Sequence, residues 1–139
     1  MAQRNYDPKQ LSVVFGITPI VGFAVDTMIS IESENPKYTS NHDIHGNVTR
    51  YRVNKRVAKI TVTLIQSSRS NDLLSNYAEL DEVSDAGVFP IMIKDPNGTT
   101  LFSCPEAWII EPPTLDFGEE AKNREWVIEA NGFNQYIGS

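Results

Sequence analysis

Hydrophobic and polar residues alternate along most of the chain, which is the pattern of half-buried β-strands. The clearest case is residues 58–66, AKITVTLIQ. Its two faces are distinct, with Ile60, Val62 and Leu64 on one and Lys59, Thr61 and Thr63 on the other. Further strands are predicted in LSVVFG, ITPIVGFAV, MISIES (28–33), FPIMIKD (89–95), TTLFSC, AWIIE and REWVIEA. A turn is expected at DPNG (95–98) because proline and glycine favour turn geometry.

One segment, SNDLLSNYAELDEVSDAG, has the spacing of a helix instead. Three apolar residues recur along it at i, i+4 and i+7: Leu73, Tyr77 and Leu80. Leu74 widens this apolar stripe. Ser70 or Asn71 is expected to cap its start, and Gly87 is expected to end it. These elements predict a mainly β fold with two packed antiparallel sheets, as a sandwich or partly closed barrel, and one flanking α-helix.

Residues 34–56 fit neither the pattern of a half-buried strand nor that of a half-buried helix. The segment has few apolar residues, and it alternates on both sides of the polar tip NHDIHGN. It is therefore predicted to be a long β-hairpin arm with its turn at Gly46 and Asn47. Because an isolated hairpin is marginally stable in water, the arm is expected to be loose until it pairs with another surface.

Length and composition set the class of protein. The chain has 139 residues, 40% hydrophobic and 22% charged, which predicts a single domain over residues 1–139. Cys104 is its one cysteine, and the first ten residues have no signal-peptide pattern. The longest apolar run is interrupted by Pro19 and is shorter than a membrane span. A reducing cytoplasm and no membrane contact are expected.

The net charge of −6 is unevenly distributed. Residues 1–70 contain nine Lys/Arg and five Asp/Glu, a balance of +4, whereas residues 71–139 contain three and thirteen, a balance of −10. A basic segment and an acidic half in one domain suit either an anionic partner or copies of the same chain that meet head to tail.

Candidate chemistry is sparse. His42, Asp43 and His45 lie in a polar tip without a further ligand nearby, so a solvated tip is expected rather than a metal site. Cys104 precedes Pro105 in a predicted strand, where a buried thiol is the usual occupant. Phosphate-binding glycine motifs are missing from the sequence. No enzyme activity, metal or cofactor is predicted.

Three blocks of the sequence resemble the small tail tube proteins of contractile-tailed bacteriophages. They are SSRSNDLLSNYAELDE, PIMIKDPNGTTLFSCPEAWIIEPPTLDFG and NREWVIEANG, within a match spanning roughly residues 8–132. The resemblance implies two packed sheets and a helix, with six copies forming a ring whose inner sheets line a channel. The rings would stack into a tube inside a contractile sheath, with the tape measure protein and transiting DNA in the lumen. It also implies a virion tail protein assembled in the host cytoplasm, with the arm reaching the neighbouring ring.

The candidate site residues follow from charge and strand parity. Four cations of the arm are predicted to bind acidic groups of an adjacent subunit: Arg50, Arg52, Lys55 and Arg56. Their candidate partners are Asp81, Glu82 and Asp85 at the helix end, or Glu119 and Glu120. The lumen-facing residues are predicted to be Glu125, Glu129, Thr61 and Thr63, because an acidic wall would repel phosphate. The alternative is a nucleic-acid-binding β-domain that uses the basic residues 50–59.

Overall fold

The computed structural model describes residues 11–24, 29–96 and 98–138. Met28 and Asn97, from the predicted strand and turn, lie outside these residues. The described elements are β1 (Ser12–Phe15), β2 (Thr18–Pro19), β3 (Ile29–Ser33), β4 (Tyr38–His42), β5 (Val48–Arg52), β6 (Val57–Leu64), α1 (Ser70–Ser84), β7 (Phe89–Lys94), β8 (Leu101–Glu111), β9 (Arg124–Asn131) and β10 (Asn134–Tyr136).

Eight of the described strands form one antiparallel sheet. Their order is β2-β1-β7-β8-β9-β6-β3, and β10 pairs with β8. The arm, β4 with β5, is a separate two-stranded sheet. The predicted fold class, mainly β with two antiparallel sheets, one helix and a long hairpin arm, is confirmed. The second sheet is the arm itself, and the described strands do not close into a barrel.

β8 is one strand of 11 residues, where the sequence predicted two. The register with β7 shifts between Phe89 and Ile91, so that Pro105 lies where the ladder is irregular and its missing N–H is tolerated. β9 and β10 follow one line along β8, because the pairs Glu106–Asn131 and Ser103–Asn134 keep the same register.

The pairing of β6 with β9 defines two ends of the sheet. At the arm end, Val57 pairs with Asn131, and the arm joins β6. At the loop end, Leu64 pairs with Arg124, and residues 112–123 connect β8 to β9. β6 has eight residues, so the two ends are roughly 25 Å apart at the usual rise of a strand.

One face of the large sheet and the helix enclose the core. Ile60, Val62 and Leu64 are fully buried, as predicted from their alternation. The predicted core face of β9 is also buried: Trp126, Ile128 and Ala130. This burial makes a one-residue change of register costly, because it would expose every one of these side chains.

The helix differs from its predicted form at both ends. Arg69 is the N-cap residue and makes no side-chain cap, so the prediction of a cap from Ser70 or Asn71 is wrong. Ser70 accepts a hydrogen bond from the Val21 amide instead, at 2.9 Å. The helix ends at Ser84 rather than at Gly87, and Asp85 follows it in the left-handed conformation.

Gly87 is required for close approach to the helix. A Cβ at this position would meet the Tyr77 carbonyl oxygen and lie 2.6 Å from Cβ of Asp81. The apolar stripe also differs from the prediction, because Leu80 is 49% exposed while Leu74 is fully buried. Tyr77 stacks on Phe89 with ring centroids 4.4 Å apart, so the stripe meets the core at Tyr77 and Leu74 rather than at Leu80.

A buried polar network joins the helix to the sheet at the loop end. The indole N–H of Trp126 donates to Oδ1 of Asn71 at 2.9 Å. Nδ2 of Asn71 donates to the carbonyls of Ile65 and Gln66 at 3.0 and 3.3 Å. Asn71 therefore serves as a buried link between three parts of the chain rather than as a cap.

Candidate interaction surfaces

The arm projects from the body of the protein. All ten residues of β4 and β5 are exposed, and neither strand is hydrogen-bonded to the large sheet. Its apolar side chains do not form a core, since Ile44 is 94% exposed and Tyr51 is 50% exposed. The arm, whose composition predicted no burial, is therefore separate from the body in the structure.

One face of the arm is cationic. Arg52 lies opposite Tyr38 and Arg50 lies opposite Ser40, so the two arginines share a face with the tyrosine. The guanidinium carbon of Arg50 is 4.6 Å from the Tyr38 ring centroid, and that of Arg52 is 5.8 Å from it. Arg52 also donates to the Tyr38 hydroxyl at 3.3 Å. Stacking on one ring holds both charges in place at the surface.

The tip of the arm is organised by one carboxylate. Oδ1 of Asp43 accepts hydrogen bonds from the amides of His45 and Asn47 at 2.9 and 2.8 Å. Its Oδ2 accepts one from Nδ2 of Asn47 at 2.9 Å. Gly46 has φ of 84° in this turn, as the predicted position of the hairpin turn requires. The Asn47 side chain first, and then the backbone amides, hold the pKa of Asp43 below its usual range.

Replacing Asp43 by alanine is therefore expected to loosen the tip without affecting the body. Hydrogen exchange at the His45 and Asn47 amides should become several times faster, while the melting temperature stays unchanged, because these residues are exposed. Because the pKa of Asp43 is lowered in the folded protein, its carboxylate stabilises the turn at any pH above the ordinary aspartate pKa. This stabilisation is lost as the pH falls through the lowered pKa of Asp43. Residue-resolved hydrogen exchange by NMR measures both effects.

The matched control is Asp43→Asn, which keeps an acceptor oxygen for the two amides. Its exchange rates should lie between those of the wild type and the alanine variant. Equal protection in all three proteins would contradict the role given to the carboxylate.

A cleft of about 500 Å³ lies where the arm meets β10. Four cations line it, Lys37, Arg52, Lys55 and Arg56, and none of its lining residues is acidic. The aromatic residues Tyr38 and Phe133 also line it. Nη1 of Arg56 donates to Oδ1 of Asn134 at 3.4 Å across the exposed edge. The structure therefore brings three of the four predicted cations together in one cleft, whereas Arg50 lies further along the arm.

The two predicted acidic groups lie at opposite ends of the molecule. At the end of α1, shortly before Phe89, Glu82 and Asp85 are exposed and Asp81 is half-buried. Phe89 pairs with Ala107, which pairs with Ala130, and Ala130 pairs with Ala58 near the arm end. Glu119 and Glu120 are exposed in the connection at the loop end, in a segment that we call the acidic loop (residues 115–120, LDFGEE).

The four predicted lumen residues share one face of the large sheet. Thr63 pairs with Glu125, Thr61 pairs with Val127, and Glu129 follows two residues later on the same face. This face is opposite to the core residues of β6 and β9. Lys59 and Glu32 lie in the same row as Glu129, so the face is mixed in charge at the arm end.

The candidate metal and thiol chemistry of the sequence lies in the polar tip of the arm and at Cys104. Within residues 11–24, 29–96 and 98–138, no three His, Cys, Asp or Glu side chains converge to hold a metal ion. Burial raises the pKa of the Cys104 thiol, which keeps it in the unreactive neutral form at neutral pH. In this same part of the chain, no helix is long and apolar enough to cross a membrane.

Sequence reasoning missed several residues of these surfaces. Lys37 and Tyr38 precede the basic run by many positions, and only the arm register places them beside Arg52. Phe133 reaches the cleft through the turn between β9 and β10, a strand that the pattern did not predict. Phe117 could have been found from the sequence, because an apolar residue between acidic ones indicates an exposed position. It is 79% exposed in the structure.

Comparison with known proteins gives a family and a fold. The chain is 33% identical over 132 residues to structural protein ORF10 of Pseudomonas phage KPP10, covering 89% of this chain and 76% of that protein. No protein-family model matches the chain. The chain belongs to the family of this phage structural protein and is not an enzyme.

Solved structures show the same fold at low sequence identity. A chain in the anti-feeding prophage cap, the AFP tube terminating cap, has a TM-score of 0.65 at 13% identity over 98% of this chain and 93% of that chain. A chain in the sheath-tube complex of the extracellular contractile injection system PVC has a TM-score of 0.64 at 14% identity, over 95% and 91%. The resemblance to tail tube proteins is confirmed to this extent: a phage structural protein with a fold found in contractile injection systems.

Proposed function

We propose that this chain is the tube subunit of a contractile phage tail. Six copies form a ring, the rings stack into a hollow tube inside a sheath, and DNA passes through the channel. The observation that carries the proposal is the exposed cationic arm at one end of the sheet, with acidic groups exposed at the other end. Contacts between different surfaces of identical chains continue indefinitely or close into rings, and a stacked tube uses both.

The edges of the large sheet support the ring. β2 and β3 are the terminal strands of the order, so each has one side without a strand partner among the described residues. Exposed strand edges are a hazard for a monomer because they pair with other chains. In a ring each subunit would offer these edges to its two neighbours, and the whole chain 1–139 would act as one unit with 34–56 as the arm.

The polar face of the sheet supports a lumen wall. Glu125 and Glu129 lie on the side opposite to the core, next to Thr61 and Thr63. Repulsion between carboxylates and phosphates would let DNA pass without binding. Further partners of the proposed tube are the sheath protein outside and the tape measure protein inside, with assembly in the host cytoplasm.

Negative-stain electron microscopy of the concentrated purified protein tests the proposal. Hollow tubes of stacked six-membered rings are expected. Cysteines introduced at Glu125 and Glu129 should be blocked from a bulky thiol reagent in tubes and labelled in dissociated protein. Protein that stays monomeric at high concentration and binds DNA in a gel shift that weakens steeply with salt would favour the nucleic-acid-binding alternative instead.

A further inference from the structure

We propose that the cleft at the base of the arm binds the acidic loop, residues 115–120, of a second copy of this chain. This inference rests on the proposed function and names the partner surface for its head-to-tail contact. The sequence left two acidic partners open, the helix end and the acidic region near Glu119. The arrangement of the elements distinguishes between them.

Position in the fold is the first argument. The cleft lies beyond Val57 at the arm end, and the acidic loop precedes Arg124 at the loop end. The length of β6 separates them by roughly 25 Å. Two complementary surfaces at opposite ends of the strands allow each copy to bind the next one in the same orientation, which is the geometry that a stack of rings needs.

The helix end does not meet this condition. Asp81, Glu82 and Asp85 lie at the end of α1 next to Phe89, whose row of strand pairs leads to Ala58. They are therefore on the same end of the molecule as the arm. A contact between the cleft and the helix end would join two arm ends, so it could link neighbours side by side within a ring but could not stack one ring on the next.

Charge is the second argument. The cleft contains four cations and no acidic lining residue. The acidic loop contains Asp116, Glu119 and Glu120, all exposed. Opposite charges on two surfaces steer their encounter and fix which surfaces meet.

Apolar side chains provide the third argument. Phe117 is 79% exposed and Leu115 is 64% exposed, between and beside the acids of the loop. In the cleft, Tyr38 is 41% exposed, whereas Phe133 stacks on Phe102 in the core and shows only 6% of its surface. The volume of the cleft, about 500 Å³, is within the range of sites that admit an organic group. Aromatic and arginine side chains that meet in a pocket closed to water are typical of interaction hot spots.

The test reverses the loop charges in the full-length protein, Glu119→Lys with Glu120→Lys, and compares the tube mass in a sedimentation assay with that of the wild type. A loss of about tenfold or more is expected. Combining this change with Arg52→Glu and Arg56→Glu restores opposite charges on the two surfaces, and most of the lost assembly should return. The matched control is Glu82→Lys with Asp85→Lys, which makes the same charge change at two exposed positions of the helix end and should leave assembly unchanged.

Crosslinking gives a second readout that does not depend on tube yield. Phe117→Cys and Gln135→Cys in one chain should form a ladder of disulfide-linked multimers on oxidation, whereas either change alone should give nothing larger than a dimer. The inference is overturned if the loop variant assembles like the wild type, if the combined variant fails to recover, or if no ladder forms. If the wild type itself makes no tubes, the proposed function fails. If only the arm variant is defective, the function stands and the acidic loop is not the partner.

Discussion

Reversing two arginines at the base of the arm, Arg52→Glu with Arg56→Glu, is expected to abolish tube formation and to leave the fold intact. Both side chains are exposed, and their described partners are the Tyr38 hydroxyl and the Asn134 amide oxygen at the surface. The body of the protein should therefore keep its melting temperature within about two degrees, as surface changes usually do.

The effect on assembly should be large because the contact repeats. Like charges placed opposite each other at an interface cost several kcal/mol, and each 1.4 kcal/mol changes an equilibrium about tenfold. Every subunit of a ring would lose its contact with the next ring, so the critical concentration should rise by about a hundredfold or more. Light scattering against protein concentration measures this value directly.

A matched control separates local charge from net charge. Arg69→Glu with Lys94→Glu makes the same change in net charge at exposed positions that do not line the cleft. This variant should form tubes at a critical concentration close to that of the wild type. Tubes of normal length from the Arg52 and Arg56 variant would remove the role assigned to the arm.

Replacing Asn71 by leucine is expected to lower the free energy of unfolding by about 2–4 kcal/mol, because it leaves a buried donor without a partner. Asn71 is 6% exposed and Trp126 is 3% exposed, so water cannot easily replace the bond at 2.9 Å between them. The same change also removes the donors for the carbonyls of Ile65 and Gln66, which connect β6 to α1. Urea unfolding followed by tryptophan fluorescence measures the loss.

The control for this prediction is a double-mutant cycle with Trp126→Phe. Phenylalanine has no N–H, so the double variant no longer contains the unpaired donor. Its loss of stability should be smaller than the sum of the two single losses by about 1 kcal/mol. Additive losses would show that the hydrogen bond is not what Asn71 contributes.

Strand positions could be predicted because alternation is a local property. The buried rows of β6 and β9 were visible in the order of the residues, and so was the opposite row that contains Glu125 and Glu129, although Val127 between them is buried. The strand β10 was missed because it has three residues, all exposed, and it exists only as a continuation of β9 along β8. Short strands are decided by their neighbours rather than by their own pattern.

The helix shows how a local rule can fail. Ser70 and Asn71 are good capping residues, but in the folded protein both side chains form hydrogen bonds with other parts of the chain instead. Ser70 bonds the Val21 amide, and Asn71 bonds the Trp126 indole. Both bonds join residues far apart in the sequence, so no inspection of the helix segment alone could have predicted them.

The amino-acid sequence by itself determined a mainly β chain, one helix, an arm too polar to be buried, and an uneven distribution of charge. These properties depend on residues close together in the chain, where alternation and composition are sufficient evidence. Only the tertiary structure decided that the cations gather in a cleft with Phe133 and that one acidic group lies at the far end while the other lies beside the arm. The reason is physical: the ends of the molecule are defined by strand pairings between distant segments, and net charge carries no information about direction.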